Sequence, residues 1–130
     1  SVDYADDSRA IGLTDWDDDG RVDILLKNRT GPRLRFLRNH DDGAGGFLAL
    51  DLVGARCNRD AIGAHVVVEL DGRTLRRTLH GGDGYLAQSS KRLHFGLGES
   101  KVVRKLSVNW PDGSSQSFEL ADRADCSASR

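Results

Sequence analysis

Short stretches of alternating apolar and polar residues, each closed by a glycine-bearing turn, fill most of this 130-residue chain. Alternation with period two sends successive side chains to opposite faces of an extended strand, so one face is apolar and the other wet. On that pattern, with β-branched enrichment as a second signal, strands are predicted at 22–27, 34–38, 47–53, 65–70, 74–80, 92–95, 105–110 and 116–120. Asp-Gly dipeptides beginning at Asp19, Asp42, Asp71, Asp83 and Asp112 mark turns whose glycine can adopt positive φ. The plainest hairpin is Val66-Val67-Val68-Glu69-Leu70, followed by Asp71-Gly72 and a return through Leu75 and Leu79 among arginines. No long window holds apolar residues at i, i+3, i+4 and i+7, and the one helix-like patch, 99–106, is short. The expected fold is all-β: an antiparallel sandwich or barrel, with an N-terminal hairpin built around the loop at 15–23.

Between His40 and Gly46 the chain turns polar and glycine-rich, which suits no regular element. That places a boundary between an N-terminal piece, 1–46, and a main β-domain, 47–130. At this length roughly two-thirds of the unfolded surface can be buried, enough for a real core. Nineteen basic and 20 acidic residues nearly cancel, so no global field draws the chain to nucleic acid or to an anionic membrane. No apolar run approaches the ~20 residues of a membrane-spanning helix, so membrane insertion is not expected. The chain opens at Ser1 without a basic start and apolar stretch, so any secretion signal is expected to be removed or to lie outside this sequence. Cys57 and Cys126 are open to two readings: two separate thiols, or one disulfide closing a loop of about 70 residues worth ~4 kcal/mol.

The sharpest chemical signal is Asp15-Trp16-Asp17-Asp18-Asp19-Gly20-Arg21-Val22-Asp23, with carboxylates at relative positions 1, 3, 5 and 9. Ca²⁺ takes about six to eight hard oxygen ligands at ~2.3–2.6 Å, and a tight loop turns alternate side chains inward to supply them. The expected ligands are Asp15, Asp17, Asp19 and Asp23 through their carboxylates and Arg21 through its backbone carbonyl; Asp18 points away. Gly20 allows the sharp turn. An EF-hand would need a bidentate Glu at position 12, where Leu26 stands, and flanking helices instead of the strand that follows. Mg²⁺ fits less well because it demands strict octahedral geometry and keeps its waters. Loops of this kind can be weak enough to need millimolar calcium, which favours an extracellular or periplasmic location.

At Asp15-x-Asp17-x-Asp19-Gly20-x-x-Asp23 followed by Ile24-Leu25, the chain resembles an FG-GAP/VCBS-type repeat, the calcium-loop unit of integrin-like β-propellers, over about residues 10–39. From Phe47 onward it resembles the ASPIC/UnbV domain of cartilage acidic protein-like chains. Four ordered motifs carry that second resemblance: Asn58-Arg59-Asp60-Ala61-Ile62-Gly63-Ala64, Gly81-Gly82-Asp83-Gly84-Tyr85-Leu86-Ala87-Gln88-Ser89, Leu93-His94-Phe95-Gly96-Leu97-Gly98 and Val108-Asn109-Trp110-Pro111-Asp112-Gly113. His65, where arginine is more usual, and Ala87, where serine is common, depart from the pattern. The resemblance implies a secreted or surface-exposed β-domain with no established reaction, found in proteins linked to adhesion or matrix, with calcium belonging to the preceding repeats. A propeller needs several blades, so this chain reads as the C-terminal part of a longer protein.

Other candidates read as structural. Arg59 and Asp60 suit an ion pair or a turn-fixing hydrogen bond better than a ligand pair, and Asp83 suits a turn. His40, His65, His80 and His94 are scattered without the i, i+4 spacing of a zinc-binding helix face. No Gly-x-Ser-x-Gly elbow presents a nucleophile. Trp110 reads as a buried strand end before a proline turn, and Trp16 as an outward side chain that packs on a neighbouring blade or meets a partner. The expected role is a non-catalytic calcium-binding module for protein or glycan interaction or scaffolding. Two alternatives stand beside it: an accessory domain of a larger enzyme whose catalytic residues lie elsewhere, and a calcium-dependent lectin, for which four carboxylates and a carbonyl leave the ion little room.

Overall fold

The computed structural model describes residues 4–41, 43, 45–100 and 102–119. Cys126 lies outside the described residues, and with it the question of a Cys57 bridge. The described residues are all-β, without a helix, and form nine strands: β1 (Ser8–Thr14), β2 (Asp23–Asn28), β3 (Leu34–Leu37), β4 (Gly46–Leu50), β5 (His65–Leu70), β6 (Arg73–Thr78), β7 (Leu93–Gly98), β8 (Val103–Asn109) and β9 (Ser115–Glu119). Contacts divide the chain into two compact units, one drawn from Ser1–Asp42 and Gly82–Ser90, the other from Gly43–Gly81 and Lys91–Arg130.

The second unit holds a two-stranded sheet, β4-β7, and a four-stranded sheet, β6-β5-β8-β9, every pairing antiparallel. Alternation explains both. In β5, Val66, Val68 and Leu70 turn inward while His65 and Glu69 face water; in β7, Leu93, Phe95 and Leu97 turn inward. With Leu48, Leu50, Leu106 and Val108 these make one shared core, so the sheets stack as an open sandwich and no barrel closes among the described residues. Val66 and Val68 are fully covered, and each such side chain contributes roughly 1.5–3 kcal/mol. Gly72, at φ +79°, makes the hairpin turn between β5 and β6 where Asp71-Gly72 predicts it. The helix-like patch at 99–106 is a different matter: from Val103 the chain is β8, because hydrogen bonding to β5 and the inward Val103 and Leu106 outweigh a weak local preference.

The first unit is a three-stranded antiparallel sheet in the order β1-β2-β3. Its register places Leu13, Ile24 and Leu37 side by side on one face and Gly12, Leu25 and Phe36 on the other. Both faces are therefore apolar. The outer edge of β1 is capped by the segment 82–90: Ser90 N–H donates to the Leu13 carbonyl at 2.8 Å, and Leu13 N–H to Ser89 Oγ at 3.2 Å. A polar cluster fixes the chain ahead of β1: Asp6 pairs with Arg35 and accepts from Asn28 Nδ2 at 2.9 Å, while the Arg35 guanidinium lies 4.2 Å from the centre of the Tyr4 ring. The Arg35 hydrogen bond is the main cause holding the Asp6 carboxyl below its ordinary value.

Candidate cation-binding loop

The bend between β1 and β2 is built from its own carboxylates. Asp15 accepts the backbone N–H groups of two consecutive residues, Asp19 N–H on Oδ1 at 3.1 Å and Gly20 N–H on Oδ2 at 2.9 Å. Asp18 and Gly20 take left-handed φ values of 57° and 84°, which suits an aspartate and a glycine better than other residues. The result brings the carboxylates of Asp15, Asp17 and Asp19 together, with one oxygen from each lying within 4.8 Å of the others. Asp17 is exposed and the other two are half-buried.

Those three donors fit a calcium ion. Two oxygens on opposite sides of one Ca²⁺ stand about 4.6–5.2 Å apart, twice the ordinary Ca–O distance, so the observed spread is one that a single ion can span. All three donors are hard oxygens, and each carboxylate has about four lone-pair sites, so the hydrogen bonds to Asp15 do not exhaust it. Positive charge already faces the cluster. Arg21 forks onto Asp19 Oδ2 with Nε at 3.0 Å and Nη2 at 2.7 Å, and Arg38 pairs with Asp17 and reaches Asp19 Oδ2 at 3.8 Å. Asp19 also accepts the Arg21 backbone N–H at 2.9 Å, the leading cause of its lowered carboxyl pKa, with the Arg21 and Arg38 guanidinium groups adding to it.

The remaining expected ligands sit differently. Asp23 is 1% exposed, and its oxygens accept the N–H groups of Trp16, at 3.1 Å, and Asn39, at 2.8 Å. It ties the start of the loop to the end of the third strand and is not in the trio. Arg21 meets the cluster through its guanidinium and N–H. Trp16 is 71% exposed and touches the Phe36 ring edge-on at 6.0 Å between centroids. Arg38 and Asn39 escaped the sequence reading because they lie beyond β3; only the pairing of Ile24 with Leu37 brings them to the loop.

The other singled-out residues have structural roles. Asp60 pairs with Lys91, and Asn58 fixes the turn by accepting Ile62 N–H at 2.8 Å and donating to its carbonyl at 3.0 Å. Asp83 accepts Ser89 N–H at 3.3 Å, which braces the segment that caps β1. A family model described as ASPIC and UnbV matches residues 54–123. Comparison with curated proteins finds no match.

Proposed function

Because the chain belongs to the ASPIC and UnbV family, we propose that it acts as a non-catalytic module for protein or glycan interaction or scaffolding, stiffened by a calcium ion. The observation that carries this is the convergence of Asp15, Asp17 and Asp19 on one point of a bend between strands. These residues hold the ion and the Arg21 carbonyl adds to them, while Asp23, outside the trio, holds the backbone of the loop in place. Bound calcium supplies charge compensation to the loop; the chain's own residues set its shape, through the N–H groups held by Asp15 and the clamp made by Asp23.

The first unit is read as one FG-GAP/VCBS-type blade of a longer propeller in an extracellular or periplasmic protein. Its sheet supports that reading. Ile24-Leu25-Leu26 is apolar on both faces, the pattern of a sheet covered on both sides, and Ile11, Leu13 and Phe36 stay 46%, 39% and 43% exposed.

Isothermal titration calorimetry tests the proposal. One Ca²⁺ should bind per chain and raise the melting temperature, a chelator should reverse the rise, and the Asp17→Ala, Asp19→Ala double variant should lose both effects. Wild-type protein that takes up no Ca²⁺ at millimolar concentration refutes it.

A further inference from the structure

The second unit carries a cleft of about 410 Å³ between the 53–57 loop and the turn joining β8 to β9, within the ~300–1,000 Å³ of small-molecule sites. Its walls are braced before any ligand arrives. Gly54 N–H donates to the Arg59 carbonyl at 2.9 Å and closes the first loop; Trp110 N–H to the Ser114 carbonyl, 2.8 Å, and Gly113 N–H to the Trp110 carbonyl, 3.0 Å, close the second. Trp110 packs against the core and donates its indole N–H to Gln116 Oε1 at 3.2 Å, which fixes the ring while part of it lines the cleft.

Around that ring stand Val53, Arg56, Asp112, Ser114 and Gln116. Asp112 Oδ1 accepts both donors of Ser114, N–H at 2.9 Å and O–H at 2.6 Å, leaving Oδ2 to accept from a ligand. Those bonds, with Arg56 nearby, hold the carboxyl below its ordinary value, so it stays an ionised acceptor near neutral pH. Arg56 brings rigid planar donors, and the Gln116 amide NH₂ remains a donor.

Arg56 and Asp112 cancel in charge, which favours a ligand with no net charge. An anion meets Asp112, a cation meets Arg56, and a purely apolar molecule strips water from both without repayment in hydrogen bonds. A sugar ring has what the cleft asks for: a C–H face to lie on an aromatic ring, and vicinal hydroxyls for planar carboxylate, guanidinium and amide groups. We propose that this cleft binds a neutral saccharide residue. The site lies wholly within the second unit and is independent of the calcium loop.

The test uses the full chain with Trp16→Phe, which leaves Trp110 as the sole indole. It is titrated with methyl β-D-glucoside, methyl β-D-galactoside, methyl α-D-mannoside and methyl N-acetyl-β-D-glucosaminide, and screened on a glycan array. At least one saccharide should shift Trp110 emission saturably, with a midpoint near ~1 mM or tighter. Arg56→Ala and Asp112→Asn should each weaken binding about tenfold; the second keeps the oxygen that Ser114 needs, and unchanged melting confirms that the turn survives. A chelator should leave binding intact. No saturable response to any glycoside or array glycan, or binding that both variants leave unchanged or a chelator abolishes, overturns the proposal.

Discussion

Asp23 separates two roles that one carboxylate can play in this loop, holding the backbone or holding an ion. Its side chain is almost fully covered, and its oxygens accept the N–H groups of Trp16 and Asn39. Asp23→Ala leaves both donors without that acceptor. Each hydrogen bond to a charged group contributes about 1.5–3 kcal/mol, so the pair amounts to about 3–6 kcal/mol, a large part of the ~5–15 kcal/mol that holds a typical domain. Asp23→Asn keeps one carbonyl oxygen and should cost about half as much. Asp17→Ala, which removes an exposed partner of Arg38, should cost under about 1 kcal/mol without calcium. Urea titrations in a Trp110→Phe background, with and without chelator, report on the first unit through Trp16. Under chelator, Asp23→Ala should fall far below wild type and Asp17→Ala should not. With calcium at ~100-fold its dissociation constant, the ion adds about 2.7 kcal/mol to wild type, and Asp17→Ala should forgo it. An Asp23→Ala protein within about 1 kcal/mol of wild type under chelator refutes the clamp, and a cost that emerges only with calcium assigns Asp23 to the ion.

Arg38 faces the same carboxylates that calcium needs, so Arg38→Ala should tighten calcium binding roughly 1.4- to 5-fold, the span of a surface ion pair; calorimetry showing weaker binding would mean that the arginine assembles the site rather than competes for it. Asp6 and Asp19 are both held below the ordinary 3.8. A depressed carboxyl stabilises the fold above its unfolded pKa and loses that contribution as pH falls through the folded value. The first unit should therefore weaken as pH drops below 3.8, and Asp6→Asn should flatten that decline in Trp16-monitored melting. An unchanged slope counts against the Asp6–Arg35 pair as its source. In the second unit, Leu97→Ala removes a side chain that is 1% exposed and should cost about 2–5 kcal/mol, read from Trp110 in a Trp16→Phe background. A cost under ~1 kcal/mol would mean that this core collapses around the gap.

Features that depend on near neighbours could be read from the residues. Gly20 and Gly72 take the positive φ expected of them, at 84° and 79°, and the alternation of β5 names its inward face correctly. The aspartates at 15, 17 and 19 meet because a tight bend turns alternate side chains to one side. Features set by pairing were hidden. A hairpin around the loop requires a strand ahead of it, but the bounds of β1 are not legible, because Ala10 and Gly12 make a face with little hydrophobic signature; cross-strand bonds to β2 and the 82–90 segment decide its shape. Arg38 escaped for the same reason.

One departure from alternation was itself informative. Ile24-Leu25-Leu26 breaks the apolar-polar rhythm in the middle of the best-placed strand of the first unit. With one face in water, such a run would leave a large apolar side chain wet at every other position, which a strand avoids by placing polar residues there. The register carries the break across the sheet: Leu25 lies beside Phe36, and Ile24 beside Leu13 and Leu37. Ile11, Leu13, Leu34 and Phe36 consequently remain 39–63% exposed, on strands that flank a center already apolar on both sides. Scattered exposed leucines need no explanation, but apolar groups aligned by register on both faces of one sheet do. Cover on both faces is what a stacked blade supplies, so the break in rhythm and the exposure it leaves support the same reading of the first unit.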